Sequence, residues 1–194
     1  EIDTPLYKLI EKVGRQKAEA AYLLCHQSID ELEKIHRHIG MAKIFERRKS
    51  LQLASTKKDM PALELEFLLR QNLGIELELL SPADVKHRFG FTAPGALYSV
   101  QAAQTNSYLF AQELIHWCHK HGAAVHDKTV IKNIQQHKNG VHLLTGAGHI
   151  IKAKHAVMAT GYEVKKWLNL NVERLHTTFV IISEPLSIPR AWQD

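Results

Sequence analysis

Between Arg15 and Ile35 the apolar positions Ala18, Ala21, Tyr22, Cys25, Ile29 and Leu32 recur at three- and four-residue steps, the spacing of one buried helical face. The pattern predicts a long amphipathic helix. From Ile44 the period changes: Leu51 and Leu53 alternate with Gln52, so an extended strand is expected up to Ser55. Thr56 is placed to cap a second helix over Lys57–Leu73, with Pro61 in its first turn and Gly74 at its end. A short strand, Ile75–Leu80, then leads to Ser81-Pro82, a cap and a first-turn proline that open a short helix to Phe89.

Gly95–Val100 reads as a strand, and Gln101–Thr105 as a polar bridge into a third helix. That helix has Asn106 or Ser107 as its cap, Ala111, Leu114, Ile115 and Cys118 on one stripe, and Gly122 as its stop. Beyond it the pattern is one of strands: Ala123–His126, Val130–His137, Val141–Thr145 and His149–Ala153. Asn139-Gly140 is read as a type I′ hairpin turn, and Gly146-Ala147-Gly148 as a second turn. Ala156–Ala159 is a compact apolar strand that runs into Thr160-Gly161, and Leu175–Ile182 is again rich in β-branched residues. Helices and strands thus alternate around a three-stranded meander.

With 194 residues, 45% of them hydrophobic, the chain has enough apolar material for a real core. No apolar run approaches the roughly 20 residues of a membrane-spanning helix, and the segment beginning Glu1-Ile2-Asp3 shows no signal-peptide pattern. The net charge is +5. Its distribution reads as scattered apart from two small clusters, Arg47-Arg48-Lys49 and Lys165-Lys166, neither followed by the stacking aromatics of a single-strand binder. No nucleic-acid partner is expected.

Cys25 and Cys118 each fall on a helical stripe and behave there as small hydrophobes, which suits a reducing, cytoplasmic compartment. Among the 13 histidines, His116 and His119 share a helical face, but no second cluster supplies the further ligands of a closed metal site, so no metal is expected.

The chemistry is expected where ligands meet α/β sheets, beyond the carboxyl end of a strand. Ala159-Thr160-Gly161 stands at such an end, and small residues there let a flat or phosphorylated ligand approach the backbone. Read in order, the helix ending at Gly122, the strand after it, Val130, the meander and the strand into Ala159-Thr160-Gly161 resemble the second half of the FAD-binding domain of the D-amino acid oxidase-like family. Gly95-Ala96-Leu97-Tyr98, Gly122-Ala123-Ala124-Val125 and Ser183-Glu184-Pro185-Leu186 are similar to that family as well.

The resemblance implies an α+β (α/β) fragment: part of an FAD-binding domain with its β-meander, plus part of a mixed-sheet substrate domain. Residues 1–40 would be a helical segment of the FAD domain, 41–100 part of the substrate domain, 101–166 the second half of the FAD domain and 167–194 a return to the substrate domain. It implies that backbone groups of Val130 meet the adenine of FAD, that Ala159, Thr160 and Gly161 lie along its ribose and phosphates, and that Tyr98 borders the substrate side. Arg47 and Arg48 are candidates to meet an acidic substrate, or else face solvent. No catalytic residue is assigned.

The family's Gly-x-Gly-x-x-Gly turn is missing. Gly146 and Gly148 have its first spacing, but Ile151 holds the third position and a strand follows where a helix is needed. The chain is therefore expected to be an interior piece whose partners are the remaining parts of its own parent chain, with the catalytic residues outside it, and alone it is expected not to retain FAD. The expected activity of the whole is oxidation of an amino acid or related amine by hydride transfer to FAD. The alternatives are flavin-dependent oxidation of a hydroxy acid and a non-enzymatic basic α+β binding module.

Overall fold

The computed structural model describes residues 2–167, 179–182, 184, 185 and 187. It divides into one unit running through Ala123 and a second of Ala124–Pro185. The chain is α+β, and both sheets among the described residues are antiparallel.

The first unit begins with two helices, α1 (Leu6–Val13) and α2 (Arg15–His38). The periodicity predicts α2 but not α1, although Leu6, Leu9, Ile10 and Val13 carry the same spacing. Leu6, Ala18, Tyr22 and Ile75 form one buried cluster, so α2 buries its first two turns. Further along, Leu32 and Ile35 are exposed and His36 is buried in their place.

Three strands form the first sheet, β1 (Phe45–Leu53), β2 (Leu77–Leu80) and β3 (Ala96–Thr105), in the order β1-β3-β2. The polar bridge expected at Gln101–Thr105 is instead the second half of β3, in which Ala102–Thr105 pairs with Phe45–Arg48. Its side chains are small or polar because that end of the sheet is partly open to solvent, while its backbone groups from Ala102 on pair with β1. Arg48 pairs with Ala102 and Ser50 with Ser99, so Lys49 alone stands opposite Val100 and Gln101. This bulge turns the Gln101 side chain toward α2.

Helix α3 (Met60–Asn72) follows a 3-10 turn at Lys57–Asp59, where Thr56 is the cap that the sequence predicts and Asp59, which it does not, accepts from the Thr56 N–H and hydroxyl in return. Helix α4 (Pro82–Phe89) has the same arrangement from Ser81 and Asp84. The hydrogen bonds from Ser81 hold the Asp84 carboxyl below its ordinary pKa. Ala54, Leu63 and Leu97 pack α3 on the sheet, and Leu80, Val85 and Ala96 pack α4 on it. Helix α5 (Ser107–Lys120) is capped by Asn106, whose side chain accepts from the N–H of Leu109 at 3.0 Å. Its expected apolar stripe is not buried: Ala111, Ile115 and Cys118 are all exposed.

In the second unit β4 (Ile131–His137), β5 (Gly140–Thr145) and β6 (Ile150–Ala153) form the meander. The β4–β5 loop is Lys138-Asn139, with His137 paired to Gly140, so the mirror-image turn expected at Asn139-Gly140 is not formed. Among the described residues Lys128 is the sole non-glycine with positive φ, whereas a type I′ turn needs two successive residues there.

Ala123–His126 and Ala156–Ala159, both expected as strands, pair with nothing among the described residues, and Val157 is 91% exposed. A strand requires a neighbour for its N–H and C=O groups, which its own apolar residues cannot supply. The same holds for Phe179–Ile182. Leu175–Thr178, Ser183 and Leu186, together with most of 167–194, lie outside the described residues.

Candidate functional site

In the second unit, Val130 stands immediately before β4. Its C=O accepts the N–H of Gly146 at 2.8 Å, while no acceptor among the described residues meets its own N–H. Its side chain faces solvent. One backbone donor, and the second lone pair of its carbonyl, are thus open to a flat heterocycle.

Ala159, Thr160 and Gly161 are exposed and free of sheet pairing. Gly161 has φ of 57°, in the left-handed region, and begins a 3-10 turn that runs to Lys166. The carbonyl of Thr160 accepts from the N–H of Glu163 at 3.3 Å, and its hydroxyl meets no partner among the described residues. A Cβ placed on Gly161 would meet nothing within 4 Å, so this backbone lies bare. The segment is open to the close approach that a sugar-phosphate needs. The side chains of Lys165 and Lys166 lie outside the described residues.

Tyr98 belongs to the first unit, in β3, directly across from Leu51 on one side and Glu78 on the other. Its ring packs 6.0 Å from Phe89, with the Arg88 guanidinium 5.6 Å over it and in turn paired to Glu78 at 2.7 Å. These contacts hold the ring against α4.

Arg47 is engaged within the chain. Its guanidinium donates to Asp30 at 2.5 Å, through both Nε and Nη2 to the single oxygen Oε2 of Glu33, and to Gln101 at 3.0 Å, and it lies 5.7 Å over the ring of Phe45. Gln101 donates in turn to Asp30 at 3.0 Å. Asp30 is therefore held below the ordinary carboxylate range by Gln101 and then Arg47, and Glu33 by Arg47. Arg48 is paired with Glu46. Asp30, Glu33 and Glu46 occupy the two arginines that the sequence left as candidates for an acidic substrate.

Glu66 of α3 was not singled out from the sequence. It is 1% exposed, and its Oε1 accepts from Leu6 N at 2.8 Å, Arg70 Nε at 2.7 Å and Tyr22 OH at 3.2 Å; Oε2 accepts from Tyr7 N at 3.2 Å. Leu63, Glu66, Phe67 and Arg70 share one helical face, so the spacing was the available signal. Burial pushes the Tyr22 phenol far above its ordinary value. Beside this network, a cavity of about 40 Å³ under α2 is lined by Tyr22, Cys25, Ile29, Leu97, Ser99 and Gln101. It has room for a few waters and none for a flavin.

Among the described residues no group of three or more His, Cys, Asp or Glu is arranged around a metal position, and no helix is long and apolar enough to cross a membrane. Cys25 is half-buried and Cys118 is exposed, contrary to the core position expected for it, and both are free thiols.

A family model described as DAO, FAD dependent oxidoreductase, matches residues 7–192. No curated relative matches the chain. Among solved structures it is similar to L-proline dehydrogenase from P. horikoshii, with 16% identity and a TM-score of 0.57, covering 67% of this chain and 36% of that one. It is also similar to glycine oxidase from Geobacillus kaustophilus, with 17% identity and a TM-score of 0.54, covering 79% and 39%. A third is L-amino acid deaminase from Proteus vulgaris, with 12% identity and a TM-score of 0.58, covering 70% and 34%. The chain thus spans well under half the length of each of these structures, and at such identities the likeness is one of fold.

Proposed function

The chain belongs to the DAO family of FAD-dependent oxidoreductases, and on that premise we propose that its parent protein oxidises an amino acid or a related amine. FAD, when bound, supplies the acceptor for a hydride from the C–H beside the amine nitrogen. The chain's own contribution is to hold the adenosine side of the cofactor. The N–H of Val130, without an acceptor among the described residues, would meet the adenine, and the bare backbone of Ala159-Thr160-Gly161, with the Thr160 hydroxyl, would hold the ribose and phosphates.

The observation that carries this reading is the uncovered backbone at Thr160-Gly161, a left-handed glycine beside an unsatisfied hydroxyl in a segment that the family match includes. The proteins of similar fold named above are a proline dehydrogenase, a glycine oxidase and an amino acid deaminase, which supports an amine substrate. Residues 101–166 are read as the second half of the FAD domain, 1–40 as a helical part of it, and 41–100 with 167–194 as parts of the substrate domain. Tyr98 is placed on the substrate side, and no residue is assigned a catalytic role. The two free thiols suit a cytoplasmic setting.

The test is to purify the protein from its full open reading frame, record the flavin spectrum, and follow bleaching by amino acids and secondary amines without oxygen. Stoichiometric FAD that is bleached by an amine is the expected result. A colourless protein, or bleaching by hydroxy acids alone, overturns the reading. The 194-residue chain purified by itself is expected to be colourless, because it lacks the Gly-x-Gly-x-x-Gly turn that would hold the pyrophosphate.

A further inference from the structure

From Lys128 to Gly161 the sequence has five lysines, four histidines and no acidic residue, so this stretch carries the entire +5 charge of the chain. The charge that reads as scattered along the sequence is gathered by the fold. In the meander Gln135, His142 and Lys152 stand directly across from one another, and Ile134, Leu143 and Ile151 form the adjacent row on the opposite face. His137, two residues after Gln135, shares the polar face, and its ring lies 4.0 Å from that of His142. His137, Asn139, His142, Lys152 and Lys154 line a groove of about 320 Å³ at the β4–β5 end of the sheet.

We propose that this groove is a binding site for a dianionic oxyanion, a phosphoryl or sulfuryl group, held by His137, His142, Lys152 and Lys154. Four cationic or protonatable side chains converge there, and among the described residues neither a side-chain hydrogen bond nor an ion pair engages them. Like charges placed directly across strands repel, and an anion between them removes that repulsion while gaining charge-assisted hydrogen bonds. The groove is separate from Val130. Val130 precedes the first residue of β4 and His137 is its last, so the two are about 23 Å apart along the strand at roughly 3.3 Å per residue.

The pH dependence follows from what surrounds His142. Gln135 and His137 face it from β4, and Lys152 from β6, with Lys154 just beyond. Burial first, then the His137 ring and Lys152, hold the His142 imidazole below its ordinary pKa. An anion favours the protonated imidazole, so binding takes up a proton and tightens as pH falls through the histidine range.

Sulfate is the probe of choice because it remains a dianion throughout that range, so any change with pH belongs to the protein. Imidazole NMR signals of the 194-residue chain are followed during titration with sodium sulfate at about pH 5.5 and about pH 7.5, with sodium chloride at matched ionic strength as control. The expected result is a saturable shift of His137 and His142, tighter at the lower pH, with His149 unmoved. Lys152→Gln and Lys154→Gln are each expected to weaken binding about tenfold, the worth of one charge-assisted contact. Inorganic phosphate and glycerol 3-phosphate, titrated in the same way, separate a free anion from a phosphomonoester; saturation by either supports the site, and the tighter one names its source. Shifts that are linear, equal with chloride, or unchanged in both folded lysine variants overturn the proposal.

Discussion

Glu66 accepts the backbone N–H of Leu6 at 2.8 Å, so a carboxylate on α3 caps the N-terminus of α1 across 60 residues of sequence. Pro5, at the position before α1, has no side chain that can do so. The same carboxylate pairs with Arg70 one turn along its own helix and accepts from Tyr22 of α2, so three helices meet at one group.

Glu66→Ala therefore removes the cap of α1 and one half of a buried ion pair at once. The expected loss of stability is about 3–5 kcal/mol, the usual cost of breaking a buried pair from one side. Glu66→Gln keeps an acceptor oxygen for Leu6 and is expected to lose less. Urea midpoints of the three proteins check the order, and a loss under about 1 kcal/mol for the alanine variant contradicts this role.

Gly140 opens β5 at φ of 149°, and a Cβ there would lie 2.3 Å from the carbonyl oxygen of Ala153. Backbone cannot give way as a flexible side chain can. Gly140→Ala is expected to separate β5 from β6 and destabilise the meander by about 1–3 kcal/mol. At Gly148, with φ of 85° and nothing within 4 Å, alanine meets only backbone strain and is expected to cost about 1 kcal/mol. Hydrogen exchange of the β5 and β6 amides distinguishes the two, and equal protection in both variants counts against the clash.

Local signals in the sequence proved legible where the interaction is itself local. The caps at Thr56, Ser81 and Asn106 each act on a residue three positions away, and α2 follows from the period of Ala18, Tyr22 and Cys25. The second half of β3 was not legible, because Gln101–Thr105 looks like a loop until Phe45–Arg48 pairs with it. Apolarity misled at Ala156–Ala159 for the converse reason, since composition cannot say whether a strand has a neighbour. The α1 helix is short and depends on Glu66, a distant cap that no window of sequence contains. Within the candidate site the order of Val130, meander and Thr160-Gly161 could be read directly. The occupation of Arg47 by Asp30 and Glu33 could not, because it arises when the β3 bulge brings Gln101 toward α2.

That occupation has a pH signature. Asp30 and Glu33 are held below their ordinary values in the folded protein, so the stability they confer is present above the unfolded carboxylate pKa, near 4. It is lost as pH falls from there through the lowered folded values. Arg47→Met is thus expected to be less stable than the parent near neutrality, with the gap closing as the solution is acidified below about pH 4. Urea unfolding at a series of pH values measures that gap, and a difference that stays constant through the acid range rules this arrangement out.

The fully buried ring of His36 joins α2 to the far end of β3 through a hydrogen bond with Thr105 and is held to its own helix by a second, with Leu32. Nδ1 lies 2.7 Å from the carbonyl of Leu32, and Nε2 lies 2.9 Å from the Thr105 hydroxyl. A carbonyl can only accept, so Nδ1 carries the proton, and in the neutral ring Nε2 is the acceptor and Thr105 the donor. The ring also stacks on Phe110 of α5 at 3.8 Å, so its orientation is fixed from a third side and it cannot turn to find another donor. Thr105→Val keeps the shape of the side chain and removes its hydroxyl, leaving a buried nitrogen without a partner. The expected cost is about 1–3 kcal/mol. Thr105→Ser restores the hydroxyl with less packing and is expected to recover most of it, whereas a valine variant as stable as the parent, or a serine variant that loses more than the valine one, would assign the effect to the methyl group and not to the hydrogen bond.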